Sequence, residues 1–236
     1  MIPKIIHYCW FGKGKYPPIV KKCIESWKKQ CPDYEIKLWN EDNYDINKTD
    51  YLREAYQNKK WAFVSDYARL DILYEYGGFY LDTDVELIRS LDELTGLRAF
   101  VAADGSGINT GLGFGAEAKN SVIKGMRDLY IGKHFILEDG LDLTPCTVLN
   151  TKIFAEYGYK KESCTLETIL GVVVLPPEFF SPIRGNQSEL MITENTYGIH
   201  YGSRLWETGW TKFKAELRIK LGVKNVNLIK RIIRKK

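Results

Sequence analysis

The chain has 236 residues, 44% hydrophobic and 27% charged, enough for one domain with a sizeable core and ordinary for a globular protein. Its net charge of +4 is unevenly placed: from Thr211 on, ten Lys or Arg stand against one acid, Glu216, a surplus of +9 that leaves −5 on residues 1–210. This excludes a main body built to hold nucleic acid, and with no run of about eighteen apolar residues no membrane-spanning helix is expected.

Met1-Ile2-Pro3-Lys4 runs straight into an apolar stretch, so no secretion signal is expected. The five cysteines, Cys9, Cys23, Cys31, Cys146 and Cys164, form no Cys-x-x-Cys pair, which favours reduced thiols in a cytoplasm over disulfides or zinc.

Lys4 to Tyr8 reads as a buried first strand, followed by a Gly- and Pro-rich loop from Lys13 to Pro18. Val20, Cys23, Ile24 and Trp27 then recur at helical spacing, and Tyr34 to Leu38 alternates as a strand. Strand, helix, strand in this order predicts a parallel βαβ unit. Asn40 to Asp50 is a polar loop, and a helix begins near Trp61 with Phe63, Tyr67, Leu70 and Tyr74 on one face. Gly77-Gly78 ends it, and Phe79-Tyr80-Leu81 is a short buried strand. Further strands are predicted at Ala99–Ala102, Gly111–Phe114, Val172–Leu175 and Ile199–Tyr201, with helices near Ser121–Tyr130 and Cys146–Tyr157. The alternation implies an α/β sandwich with a mainly parallel sheet. Gly105-Ser-Gly107 and Gly111-Leu-Gly113-Phe-Gly115 lack the G-x-G-x-x-G spacing, which disfavours a dinucleotide oxidoreductase.

The chemistry concentrates at Asp82-Thr83-Asp84. On a continuing strand, two carboxylates two residues apart point the same way and repel unless a cation or a proton intervenes. A hard divalent ion is the usual partner of such oxygens. Asp66 and Arg69 lie three apart and share a helix face beside Tyr67 and Leu70, which should be buried; buried charges need partners.

Ser65-Asp66-x-x-Arg69 followed by Gly77-Gly78-x-Tyr80-Leu81-Asp82-x-Asp84 resembles the DXD signature of sugar-nucleotide glycosyltransferases, and most closely glycosyltransferase family 32. The resemblance runs from Ile2 to about Trp206. It implies a GT-A fold, a Rossmann-like nucleotide half continuous with an acceptor half, over residues 1–210. It also implies a divalent ion, Mn²⁺ or Mg²⁺, held by Asp82, Asp84 and His200, which keeps the family spacing to Trp206. For the donor it implies an aromatic platform at Tyr8 and Trp10, sugar or phosphate contacts from Asp66, Arg69 and Asn109, and a further donor contact at Trp206, with Asp82, Asp84 and Arg69 as the catalytic set. Ser65 either caps a helix turn or touches the nucleotide. The family usually has Ser before the Trp; here it is Leu205, with Ser203 nearby.

The implied activity is retaining transfer from a nucleotide sugar, UDP-linked by expectation, to a surface glycan or lipid-linked glycan. The rival is a non-catalytic sugar-nucleotide or glycan-binding module. The loops Asp104–Ile108 and Leu137–Thr144 are expected to shape the acceptor site. Residues 211–236 place Leu217, Leu221, Leu228, Ile229, Ile232 and Ile233 among the basic residues, an amphipathic pattern expected to hold an anionic membrane surface at the inner face of a cytoplasmic membrane.

Overall fold

The computed structural model describes residues 1–184 and 189–202. The chain runs β1 (Ile5–Cys9), α1 (Pro18–Gln30), β2 (Glu35–Trp39), α2 (Asp50–Gln57), α3 (Trp61–Tyr76), β3 (Gly78–Tyr80), β4 (Val85–Leu87), β5 (Ala99–Asp104), β6 (Gly107–Ile108) and β7 (Phe114–Ala116). Then come α4 (Ser121–Asp128), β8 (Ile136–Leu137), β9 (Gly140–Leu141), α5 (Cys146–Ala155), β10 (Glu167–Ile169), β11 (Val172–Leu175), β12 (Ile183–Arg184), β13 (Glu189–Leu190) and β14 (Gly198–His200).

Local sequence explains the main elements. α1 starts on Pro18, whose missing N–H costs nothing at a first helical position, and carries Lys28 and Lys29 in its last turn, where the dipole favours cations. It buries Ile19, Val20, Cys23, Ile24 and Trp27 against the sheet. α2 is capped by Thr49, whose hydroxyl accepts from the Leu52 N–H. α3 is buried almost all round between Phe63 and Leu73, as befits a helix inside the domain. It stops at Gly77 (φ 66°) and Gly78 (φ 96°), conformations that glycine adopts without steric cost. A side chain there would also collide: a Cβ at Gly77 would come within 2.7 Å of Ala118 N, and one at Gly78 within 2.8 Å of Ile5 O.

The main sheet has the order β10-β11-β5-β7-β3-β1-β2, with β6 beside β5. β1 pairs in parallel with both β2 and β3, and β11 with β5, while β7 is antiparallel to β3 and to β5. β2, β1, β3, β5 and β11 therefore all run one way, and the sheet is mainly parallel, with β7 reversed in its middle. Both faces are packed. Val64, Leu70, Val101 and Phe114 belong to one core, and Ile6, Val20, Trp27 and Phe100 to the other. This is an α/β sandwich with a mainly parallel central sheet. Among the described residues no helix is long and apolar enough to cross a membrane.

His7 pins the middle of the sheet. Its Nδ1 accepts from Trp39 Nε1–H at 3.0 Å, and its Nε2–H donates to Gly77 O at 2.9 Å. Both ring nitrogens are thus used in the neutral form, and burial holds the pKa down at about 4.

Two expectations shift. The strand predicted at Gly111–Phe114 begins only at Phe114, because Asn109 Oδ1 accepts from Gly111 N–H at 3.0 Å and draws those residues into a turn. Asp82 and Asp84 lie beyond β3, in a turn that leads into β4, rather than on a continuing strand. Trp206 and residues 211–236 lie outside the described residues.

Candidate active site

β3 carries the chain to the carboxyl edge of the parallel strands, where ligands of open α/β sheets bind. There Leu81 N–H donates to His7 O at 3.2 Å, Asp82 N–H to Gly111 O at 3.0 Å, and Val85 N–H to Asp82 O at 3.0 Å. The last bond closes the turn that brings Asp82 and Asp84 together. β14 returns antiparallel to β4, with His200 opposite Val85. His200 Nε2 comes to 3.3 Å from Asp84 Oδ1. One ligand atom from each of Asp82, Asp84 and His200 lies within 4.8 Å of the other two. A small divalent ion has bonds of about 2.1 Å, so two opposed ligand atoms stand roughly 4 Å apart and the cluster has the right size for one ion. Two carboxylate oxygens and an imidazole nitrogen are a donor set suited to Mn²⁺, with Mg²⁺ served by the oxygens.

Behind the carboxylates stands Arg69, 3% exposed, whose Nη2 lies 3.0 Å from Asp66 Oδ1 and 3.3 Å from Asp82 Oδ1. Its Nε–H donates to Ser65 O at 3.1 Å, and its guanidinium lies 5.1 Å from the centre of the Tyr80 ring. Tyr80 OH donates to Asp82 Oδ1 at 3.1 Å. Arg69 and Tyr80 thus occupy one oxygen of Asp82 and fix the direction of the carboxylate. The other oxygen faces Gly111, where a Cβ would come within 2.2 Å of it.

The charges of the cluster are coupled. Burial pushes the Asp66 carboxyl up to about 6, Arg69 pulls it down and Asp82 pushes it up again. Asp82 is raised by burial, with Arg69 opposing and Asp84 adding to the rise. Burial would lower His200, but Asp84, Asp82 and Asp104 outweigh it and push the imidazole up to about 9. Two crowded carboxylates that favour a cation between them are what the donor set calls for.

The other residues picked from the sequence surround this centre unequally. Tyr8 is buried edge-on to Trp27, 5.5 Å between ring centres, with its hydroxyl 3.3 Å from Tyr16 OH. Trp10, just past β1, is partly exposed, packs edge-on to Tyr16 at 5.1 Å and donates from Nε1 to Gly14 O at 2.7 Å. Of the two, Trp10 has a ring accessible to a ligand. Ser65 Oγ donates to Trp61 O at 3.0 Å, a bond inside α3. Asn109 uses both ends of its amide within the β5–β7 connection, Oδ1 on Gly111 N and Nδ2 on Asp104 Oδ2 at 2.8 Å.

The structure adds residues that spacing did not reveal. Cys146 begins α5 beside Asp66; burial and that carboxylate hold its thiol far above the usual range. Gly111 abuts Asp82 and Arg69, and Asp104 braces Asn109. Cys146 and Gly111 reach the acids through tertiary folding, so no local pattern could have announced them.

Residues 17–100 match the family model described as glycosyltransferase sugar-binding region containing DXD motif. The chain is 38% identical over 108 residues to inositol phosphoceramide mannosyltransferase 3 of Schizosaccharomyces pombe, covering 42% of this chain and 29% of that protein. It is 34% identical over 112 residues to the mannosyl phosphorylinositol ceramide synthase SUR1 of Saccharomyces cerevisiae, covering 43% and 27%. The matched region thus spans less than a third of either relative. Among solved structures, the galactosyltransferase LgtC in complex with donor and acceptor sugar analogs is similar at 17% identity and a TM-score of 0.45, over 92% of this chain and 94% of that one. Asp82-Thr83-Asp84, at the mouth of the sheet, lies inside the matched span, so the chain is similar there to glycosyltransferases with a DXD sugar-binding region.

Proposed function

We propose that the chain is a metal-dependent, retaining glycosyltransferase that moves a sugar from a nucleoside diphosphate, UDP in our reading, to a hydroxyl of a surface glycan or lipid-linked glycan. The observation that carries this reading is the convergence of Asp82, Asp84 and His200 in one cluster, backed by the buried Arg69–Asp66 pair. A divalent ion bound by Asp82, Asp84 and His200 would neutralise charge growing on the departing diphosphate. Arg69 and Asp66 hold the donor sugar, Asp66 as acceptor of its hydroxyl protons and Arg69 as the fixed positive group behind it. Trp10 offers a stacking face for the base at the end of β1. The protein's part is orientation and a water-poor cleft rather than a strong base, so attack from the face the diphosphate leaves is favoured.

A lipid-borne acceptor is supported by the relatives' names, one an inositol phosphoceramide mannosyltransferase and the other a mannosyl phosphorylinositol ceramide synthase. It is supported too by the basic, amphipathic stretch 211–236, which suits an anionic membrane surface at a cytoplasmic face.

The test is release of free nucleoside diphosphate. The full chain is incubated with Mn²⁺ and a panel of UDP- and GDP-sugars, with and without glycan acceptors. Release with one donor, abolished by EDTA, is expected. Donor binding by calorimetry with no release across the panel would favour the non-catalytic binding module.

A further inference from the structure

His200 is delivered by a very short element. β14 has three residues and, among the described residues, pairs only with the three-residue β4, in the register Gly198 to Leu87, Ile199 to Glu86 and His200 to Val85. A ribbon of that size is marginal unless something else holds it. On its front, His200 faces Asp84. The next residue, Tyr201, just past the strand, turns its side chain to Glu86 instead.

There a three-residue clamp closes. Lys22, from α1, donates from Nζ to Glu86 Oε2 at 2.6 Å and to Tyr201 OH at 2.8 Å, and its Nζ lies 4.9 Å from the centre of the Tyr201 ring. Tyr201 OH in turn donates to Glu86. The backbone is tied at the same point, with Tyr201 N–H donating to Asp84 O at 3.0 Å and His200 N–H to Phe180 O at 2.9 Å. α1 is itself bolted to β4, since Trp27 Nε1–H donates to Val85 O at 2.7 Å and Ser26 Oγ accepts from Leu87 N–H at 2.9 Å. Helix, β4 and β14 therefore form one frame, and the clamp closes it behind the imidazole.

We propose that Lys22, Glu86 and Tyr201 are positioning residues that hold β14 against β4 and so keep His200 within reach of the divalent ion; this rests on the metal reading given under the proposed function. An isolated exposed Lys–Glu pair is worth little. Here the carboxylate is closed between two donors on two different elements, and what the clamp controls is the placement of a ligand. Supporting contacts of metal ligands typically govern about 10- to 100-fold in metal affinity.

The experiment is a Mn²⁺ titration of the full chain, read by the ion's own paramagnetic resonance signal. Glu86→Ala should bind Mn²⁺ about tenfold more weakly. In a His200→Ala background the same change should add nothing, because the clamp acts through His200. Wild-type affinity in Glu86→Ala, or an undiminished further loss in the double variant, would overturn the proposal. If Glu86→Ala does not fold by circular dichroism, Tyr201→Phe, which removes one oxygen, takes its place with a loss of about threefold expected. Amide exchange without metal gives a second readout: the Tyr201 N–H should exchange faster in either variant, and unchanged protection would overturn the clamp. Wild-type protein that binds no Mn²⁺ would instead overturn the metal reading itself, a failure told apart by the exchange result.

Discussion

Arg69 Nη2 lies 3.3 Å from Asp82 Oδ1 across the floor of the site, so a cation that never loses its charge is built against the first acid of the DXD motif. The same nitrogen lies 3.0 Å from Asp66 Oδ1. One guanidinium therefore serves two carboxylates. Removing it by Arg69→Ala leaves both acids crowded without their partner and should destabilise the fold by about 3 kcal/mol in urea titrations. Adding Asp66→Asn should recover part of that stability without recovering any transfer. A single Arg69→Ala variant as stable as wild type would show that the pair does not bear on the fold.

Gly111 should be as intolerant as the acids. Its backbone is not in the left-handed region, so the constraint is purely one of space: a Cβ would lie 2.2 Å from Asp82 Oδ2 and 3.1 Å from Arg69 Nη1. Gly111→Ala should fold, since the displaced atoms are side-chain ends, yet turn the Asp82 carboxylate. A misplacement of about 1 Å costs around 100-fold in rate, and that loss in kcat is expected with the melting temperature nearly unchanged. Wild-type turnover would mean that the orientation of Asp82 is not critical.

The buried His7 makes a pH prediction. Burial lowers its pKa to about 4, with Lys37 adding to the fall and the Gly77 hydrogen bond opposing it. The unfolded chain, with an ordinary imidazole near 6.5, then binds more protons in the interval between the two values. His7 contributes full stability above about pH 6.5, and this is lost as pH falls toward 4. Between pH 7 and pH 5 the loss from this residue comes to about 2 kcal/mol. His7→Gln keeps one acceptor and one donor but does not titrate, so its stability should fall less over the same interval. Parallel pH profiles for the two proteins would contradict the neutral, doubly bonded imidazole.

The basic stretch 211–236 supplies a prediction that can be tested apart from the chemistry. A chain ended at Trp210 should lose sedimentation with anionic liposomes. It should keep activity on a small soluble acceptor, because Asp82, Asp84, Arg69 and His200 all precede the cut. The full chain should detach as salt rises, through screening. Equal liposome binding by both chains would remove the membrane-surface reading.

The sequence made some of this architecture legible and hid the rest for physical reasons. β1, α1 and β2 are strongly patterned and locally determined, and they form a parallel βαβ unit in which both strands lie within one residue of the expected bounds. Gly77-Gly78 marks the end of α3 because two left-handed backbone conformations must occur there. Arg69 and Asp66 were legible as a buried pair from their apolar neighbours. Alternation along a strand was the wrong reason for the convergence of Asp82 and Asp84, which a turn brings about. β4, β6 and β8 to β10 have two or three residues each, too few to show a period. The contacts of Cys146 with Asp66 and of Lys22 with Glu86 and Tyr201 join elements far apart in the chain, and no spacing rule reaches across them.

In the proposed mechanism, sugar transfer depends on an ion held by Asp84 and its neighbours. The most direct measurement compares wild type with Asp84→Asn, which keeps the shape and removes the charge. Nucleoside diphosphate release is followed from the accepted donor while Mn²⁺ is titrated from zero into EDTA-treated protein. Wild type should release none without metal and show a saturable rise with Mn²⁺, and Asp84→Asn should fall by at least about 1000-fold in a way that added Mn²⁺ does not restore. Full release by metal-free wild type, or wild-type metal response in Asp84→Asn, would contradict it.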